Sequence, residues 1–401
     1  MSVINNNKFH LPVISLTAAL MGLGQNGLLI ALPFLVEQSV FSLPTWSILI
    51  AVGSVLFLPF APFWGRYSDQ HGPKKVVVQA LIGMAISFAL LSYFAVFSHD
   101  ETTFILVSFL GLLIARIIYG CTVSGMVPAS QLWAMMLCGE KQRLQAITSV
   151  SIGLSVGRLV GPLIAVAALK VSPFAPLFLM IILPCAALIP VLLLPNPPAD
   201  NAQTSADQSS LPWLPQRPLR PFLMSGLLLC AAIALLQYSF SPLIYSITYW
   251  PTEKLSNAIG ALLTISAACT LLTQLLVIKK KKLSAQTMYR LGAAGLTAGF
   301  VVFLIPSIWL FGLAMMLASF GAALLVPAYT LFATQQQRQT PGAAAGYISM
   351  SHTIGYGLAS LLAFTSTLQP IYPIYLCLLF AGVILVTAYR KAEKEPIQAA
   401  P

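Results

Sequence analysis

Apolar runs of about 18–25 residues recur along the chain between Leu11 and Tyr389, each ended by a short polar or charged stretch. A helix of that length crosses a hydrocarbon core of about 30 Å. The pattern predicts twelve spans, at 11–36, 46–64, 76–97, 103–133, 143–169, 174–194, 221–248, 257–278, 287–305, 308–333, 343–365 and 371–389. The expected fold class is therefore an all-α membrane protein with twelve transmembrane helices.

The polar stretches between these spans fall into two alternating sets. One set comprises the N-terminus with Lys8, 66–75, 140–143, 196–220, the run "KKKK" at 279–282 with Arg290, Arg338, and the C-terminal "RKAEK". It holds every Lys and Arg of the chain except Arg116, Arg158, Lys170 and Lys254. The other set opposes Lys170 and Lys254 with Glu37, Asp100, Glu101 and Glu253. Loops rich in Lys and Arg stay in the cytoplasm. Both termini are thus expected in the cytoplasm, with the protein in the cytoplasmic (inner) membrane.

The longest polar stretch, "NPPADNAQTSADQSSLPWLPQRPLR" at 196–220, has the composition of a flexible linker. It separates a six-helix bundle at 1–195 from a second at 221–401. An internal echo supports that division: "MVPASQLWA" at 126–134 returns as "LVPAYTLFA" at 325–333. Repeats of this kind mark transporter folds, with a substrate site near the midplane at the repeat interface. The expected arrangement is two pseudo-symmetric bundles around a central cavity.

Composition narrows the choice further. Hydrophobic residues make up 58% and charged residues 8%, against about 25% charged in soluble domains. The formal charge of +11 follows from topology and gives no reason to expect nucleic acid. "GLGQNG" at 22–27 fits the spacing of a dinucleotide fingerprint, but that motif needs a strand before it and a helix after it. Here it lies inside an apolar run, so its glycines are expected to pack helices. "GLSVG" at 153–157 fits a serine-hydrolase pattern, yet His352, the one histidine expected within the membrane, is far away in sequence. The six cysteines lie in or beside apolar runs without metal-ligand spacing, so reduced thiols and no metal are expected. No P-loop is present. The protein is expected to be no enzyme, to use no cofactor and to draw on an ion gradient. The first run is too long for a signal-peptide core and is read as a retained helix.

Three segments carry a family resemblance. "GRYSDQHGPKK" at 65–75 resembles the signature loop of the major facilitator superfamily, G-x-L-a-D-r-x-G-r-k. Gly65, Asp69, Gly72 and Lys74 match, whereas Tyr67, Gln70 and Pro73 depart. "RIIYGCTVSG" in span four resembles the family's membrane-embedded arginine with a small-residue face. "GRLVGP" at 157–162 resembles the antiporter motif of its drug–proton efflux branch, although Ala165 and Val166 stand where a glycine pair would follow. The resemblance implies that Asp69 caps a neighbouring helix within a charge network that locks the outward-facing state. It also implies gating roles for Gly65, Arg66, Gly72, Lys74, Gly157, Gly161 and Pro162. A carboxylate near helix N-termini is favourable on electrostatic grounds as well.

Helical periodicity supports the reading of span five independently. At about 100° per residue, Gly153, Gly157 and Gly161 share one face, with Thr148, Ser151, Ser155, Arg158 and Pro162 roughly opposite. The glycines suit close helix approach, and Arg158 is too costly against lipid, so its face should be wet. Gln237, Ser241 and Tyr245 recur every four residues in span seven, and Ser349, His352 and Tyr356 share a face in span eleven. Gln25 and Asn26 are the strongly polar pair of span one. The candidate cavity residues are therefore Gln25, Asn26, Arg116, Ser155, Arg158, Gln237, Ser241, Tyr245, His352 and Tyr356. For the polar ones, hydrogen bonding between helices is the competing role.

No Asp or Glu falls near a span midpoint, which leaves Glu37, Asp69 and His352 as candidate proton carriers. Histidine titrates near neutral pH; a buried neutral imidazole with one partner is the alternative for His352. A cavity holding Arg116 and Arg158 without an acid suits anions better than cations; since Arg116 matches the family pattern, Arg158 carries that argument. The expected function is proton-coupled export of drug-like or hydrophobic small molecules by a monomer in the lipid bilayer. Export of an anionic metabolite such as a carboxylate siderophore is the alternative, and a non-transporting receptor or scaffold is a third class.

Overall fold

The computed structural model describes residues 3–37, 39–100, 105–172, 174–195, 215–280 and 283–392. Most of the expected linker at 196–220 and residues 281–282 of the "KKKK" run lie outside this set. The described residues form fifteen α-helices in sequence: α1 Val3–Glu37, α2 Leu43–Val55, α3 Phe57–His71, α4 Pro73–Asp100, α5 Ile105–Val123, α6 Met126–Cys138, α7 Arg143–Leu169 and α8 Ala175–Leu193; then α9 Arg220–Thr248, α10 Thr252–Thr273, α11 Ala285–Val302, α12 Ile308–Gln336, α13 Pro341–Leu362, α14 Thr365–Leu368 and α15 Tyr372–Ala392. A π-helical turn, Gln274–Ile278, extends α10. α2 with α3 fills the second predicted span, α5 with α6 fills the fourth, and α14 is a single turn. The other helices follow the remaining apolar runs, giving the twelve-helix architecture.

Among the described residues, nine helical segments are long and apolar enough to cross a membrane. α1, α11 and α13 complete the twelve. Membrane helices must satisfy their backbone groups internally, so the two interruptions need causes. Pro59 cannot donate to the Val55 carbonyl, and α2 ends at Val55. Pro128 likewise cannot donate to Ser124, and the helix breaks at 124–125, where Gly125 is a weak helix former. Its counterpart in the internal echo, Pro327, lies inside the continuous α12 because Leu324 replaces that glycine.

The chain divides into two compact units: Met1–Pro215 with Gln337–Met350, and Gln216–Gln336 with Ser351–Pro401. The first turns of α13 therefore belong to the first unit and the remainder to the second. Four helix pairings have counterparts in both units: those of α4 with α5, α4 with α8, α1 with α8 and α2 with α5. In the first, α4 packs on α5 and α8, α1 on α7 and α8, and α2 on α5. In the second, α11 packs on α12 and α15, α9 on α15, and α10 on α12. The repeat read from two short segments thus extends to the order in which helices pair.

Candidate functional site

The turn between α3 and α4 is tighter than the expected loop. Helix α3 continues through Gly65 and Asp69 to His71, and the chain reverses at Gly72 with φ 90°. That left-handed conformation suits glycine. Pro73 then opens α4, where its missing N–H costs nothing. Beside it, Lys74 Nζ donates to the Leu192 carbonyl at 2.9 Å and the Leu194 carbonyl at 2.5 Å. A cation therefore closes the C-terminal end of α8, the negative end of its dipole.

The helical placement of 65–71 brings Asp69 to the first turn of α13. Its Oδ1 accepts from Gly342 N–H and its Oδ2 from Ala343 N–H, each at 2.8 Å. The backbones lie close enough that a Cβ on Gly342 would stand 2.6 Å from the Gly65 carbonyl oxygen. A Cβ on Gly346 would stand 2.5 Å from that of Ala61. Arg66 donates to the Tyr347 hydroxyl and lies over the same ring, 5.4 Å from its centroid. Thr340, placed to cap α13 from its own chain, has a buried hydroxyl without a partner among the described residues. Asp69 does that work from another helix.

The glycine face of α7 packs on α1. A Cβ on Gly153 would overlap the Ser15 carbonyl, one on Gly157 the Ala19 carbonyl, and one on Gly161 would stand 3.0 Å from Leu23 Cα. Gly22 of α1 reciprocates, 2.7 Å from the Leu154 carbonyl by the same measure. "GLGQNG" is thus part of a continuous helix, and "GLSVG" forms no sharp strand-to-helix turn. On the other face of α7, Arg158 is exposed, and Ser155 and Pro162 are half-buried. The side chains of Gln25, Asn26 and Glu37 lie outside the described residues.

Arg116 is placed differently from Arg158. Only 4% of it is exposed. Its Nε donates to the Leu49 carbonyl at a long 3.4 Å, and its Cζ lies 4.7 Å from the Tyr119 ring centroid. Gly53 leaves it room, since a Cβ there would stand 2.8 Å from Arg116 Nη2. No carboxylate pairs with it among the described residues. The Tyr119 hydroxyl is also buried without a partner.

In the second unit, Gln237, Ser241 and Tyr245 form an exposed polar face on α9. The inner face of α9 meets a polar cluster. Ser225 Oγ lies 2.6 Å from Tyr289 Oη on α11. His352 Nε2 on α13 lies 2.7 Å from Tyr329 Oη on α12. Tyr329 is fully buried, His352 is half-buried and Tyr356 is 43% exposed. The unit also has an apolar cavity of about 310 Å³ bounded by Leu243, Phe303, Phe311 and Gln369, away from these polar groups.

Asp69, Lys74, Arg116 and His352 stand out in the sequence, but their partners do not. Tyr119, Tyr289, Tyr329 and Tyr347 were missed. The available signal was chemical: a buried tyrosine hydroxyl needs a hydrogen-bond partner, so each tyrosine in an apolar run marks a possible polar contact.

Comparison with known proteins matches residues 14–360 to the Major Facilitator Superfamily. The chain is similar to the Staphyloferrin B transporter of Staphylococcus aureus (strain NCTC 8325 / PS 47), 28% identical over 144 residues, or 36% of this chain and 31% of that protein. It is also similar to Tetracycline resistance protein, class D, of Salmonella ordonez, 29% identical over 177 residues, or 42% of this chain and 41% of that protein. Each match spans under half of the relative's length. In fold it is similar to the human organic anion transporter MFSD10 (TETRAN), with a TM-score of 0.71 at 18% identity over 96% of this chain and 99% of that one.

Proposed function

The chain belongs to the major facilitator superfamily, a family of transporters, and on that premise we propose that it exports drug-like or hydrophobic small molecules by proton antiport with alternating access. The supporting observation is the contact of α1 with α7, where the "GRLVGP" segment that resembles the antiporter motif touches α1 through Gly157 and Gly161. A contact made through backbone can shift without repacking large side chains. Similarity to a tetracycline resistance protein supports the same substrate class.

In this reading, Gln25, Asn26, Ser155 and Arg158 line the substrate path in the first half, with Gln237, Ser241, Tyr245 and Tyr356 in the second. The halves are 1–195 and 221–401, joined by a linker at 196–220. Asp69, with Gly65, Arg66, Gly72 and Lys74, forms a lock that holds one conformation. The charge pattern of the loops supports the cytoplasmic membrane with both termini inside. The protein works as a monomer, without a cofactor.

A second reading, export of an anionic metabolite such as a carboxylate siderophore, is favoured by Arg116. A buried cation without an acidic partner is costly, and a substrate carboxylate would offset that cost. Similarity to a staphyloferrin B transporter agrees with it.

Everted membrane vesicles carrying the full chain, energised and followed with a pH-sensitive dye, separate the two. Collapse of the proton gradient by ethidium but not by citrate supports drug export. The reverse supports anion export. No response to either probe removes both proton-coupled readings.

A further inference from the structure

All ten Asp and Glu of the chain fall outside the middles of the predicted spans, so a proton exchanged for substrate needs another carrier. We propose that the Tyr329–His352 pair inside the second unit is the proton-binding site, with His352 as the carrier and Tyr329 as the residue that positions it. The inference rests on the proton-coupled reading above.

Histidine is the one side chain whose ordinary titration falls between about pH 5 and 8, and His352 is the histidine in the middle of a span. A phenol both donates and accepts. The 2.7 Å bond to Tyr329 can therefore persist in either charge state. With Nε2 bare, the neutral ring accepts the Tyr329 hydrogen. With a proton on Nε2, the imidazolium donates to Tyr329 Oη, and the phenol hydrogen turns away. The proton is taken from a hydronium ion on one side, breaking O–H as N–H forms, and is released to a water molecule on the other, breaking N–H as O–H forms. The ring is half-buried and its phenol partner fully buried, so Tyr329 is the more firmly held of the two.

The surroundings suit a charge that comes and goes. Ser225, Gly226 and Cys230 of α9 lie on this side of the bundle, and a Cβ on Gly226 would stand 2.9 Å from Ser351 Oγ and 3.1 Å from His352 Cδ2. Tyr289 of α11 and Tyr356 of α13 lie within electrostatic range of Tyr329. None of these groups is a carboxylate, an amine or a guanidinium. The proton leaves once substrate or conformation favours the neutral ring.

The test uses the full chain in lipid nanodiscs with ¹⁵N-labelled histidine. Imidazole resonances are followed over about pH 5 to 9, and that of His352 is identified by its loss in His352→Gln. The expected result is a titration of His352 in this range, with a midpoint that moves by roughly half a unit or more in Tyr329→Phe while His10, His71 and His99 stay in place. In everted vesicles, His352→Gln should lose about tenfold or more of the probe-linked proton movement. It should still let the active probe, ethidium or citrate, equilibrate down its own gradient. A resonance fixed in one protonation state, or full proton movement in His352→Gln, overturns the proposal. Wild-type vesicles that move no protons with either probe defeat the transport reading instead, and the resonance titration then still decides whether the pair binds a proton.

Discussion

Asp69 closes the first turn of a helix that begins far along the chain: its Oδ1 accepts the Gly342 N–H at 2.8 Å across a separation of 273 residues. With Ala343 bound to the other oxygen, one carboxylate satisfies the two N–H groups that follow Pro341, which has none to offer at the start of α13. Asp69→Ala should remove about 1–2 kcal/mol from this contact. Amide exchange at 342–343 is then expected to quicken by roughly 5- to 30-fold relative to the wild type, with less change in Asp69→Asn, which keeps one accepting oxygen. Unchanged exchange in the alanine variant would mean that the cap contributes nothing.

Gly157 and Gly153 hold α1 against α7 by having no side chain. Gly157→Ala should cost about 1–3 kcal/mol through overpacking and lower the unfolding temperature in detergent. Gly260→Ala is the control, since a Cβ there meets nothing within 4 Å, and it should leave that temperature in place. Equal melting of the two variants would show that the helices can part without cost.

Arg116 should separate stability from transport. A buried charge without an acidic partner costs stability, so an apolar side chain in its place should be neutral or stabilising. Arg116→Leu is therefore expected to keep or raise the unfolding temperature, and under the anion reading to lose citrate-linked proton movement in vesicles. If export survives, the guanidinium has no part in substrate handling.

Lys74 ties the α3–α4 turn to the end of α8 through two carbonyls. Lys74→Met keeps the apolar stem and deletes the charge, so it should cost about 1–2 kcal/mol from lost charge-assisted hydrogen bonds and the dipole interaction. Limited proteolysis near 194 is expected to speed up in this variant. An unaltered cleavage rate would show that α8 is held by other contacts.

The spans were legible because the hydrocarbon thickness fixes a length, and apolar runs report that length directly. The breaks in α2–α3 and α5–α6 were not. Pro162, Pro242 and Pro327 sit within continuous helices, so proline alone does not mark a break without its neighbours. The glycine face of α7 was legible from period alone. The partner of Asp69 was not, since sequence gives no distance between residues so far apart. Tyr329 read as part of an apolar repeat, and its hydroxyl became informative once His352 was found opposite.

The trans cap on α13 also sets an order of assembly. A ribosome adding about 5–20 residues per second makes Asp69 roughly 14–55 s before Gly342. During that interval the carboxylate is without the two amides that later hold it, and water or a transient partner must accommodate it. Chains stalled before 342 therefore carry Asp69 without the two amides that hold it in the finished fold.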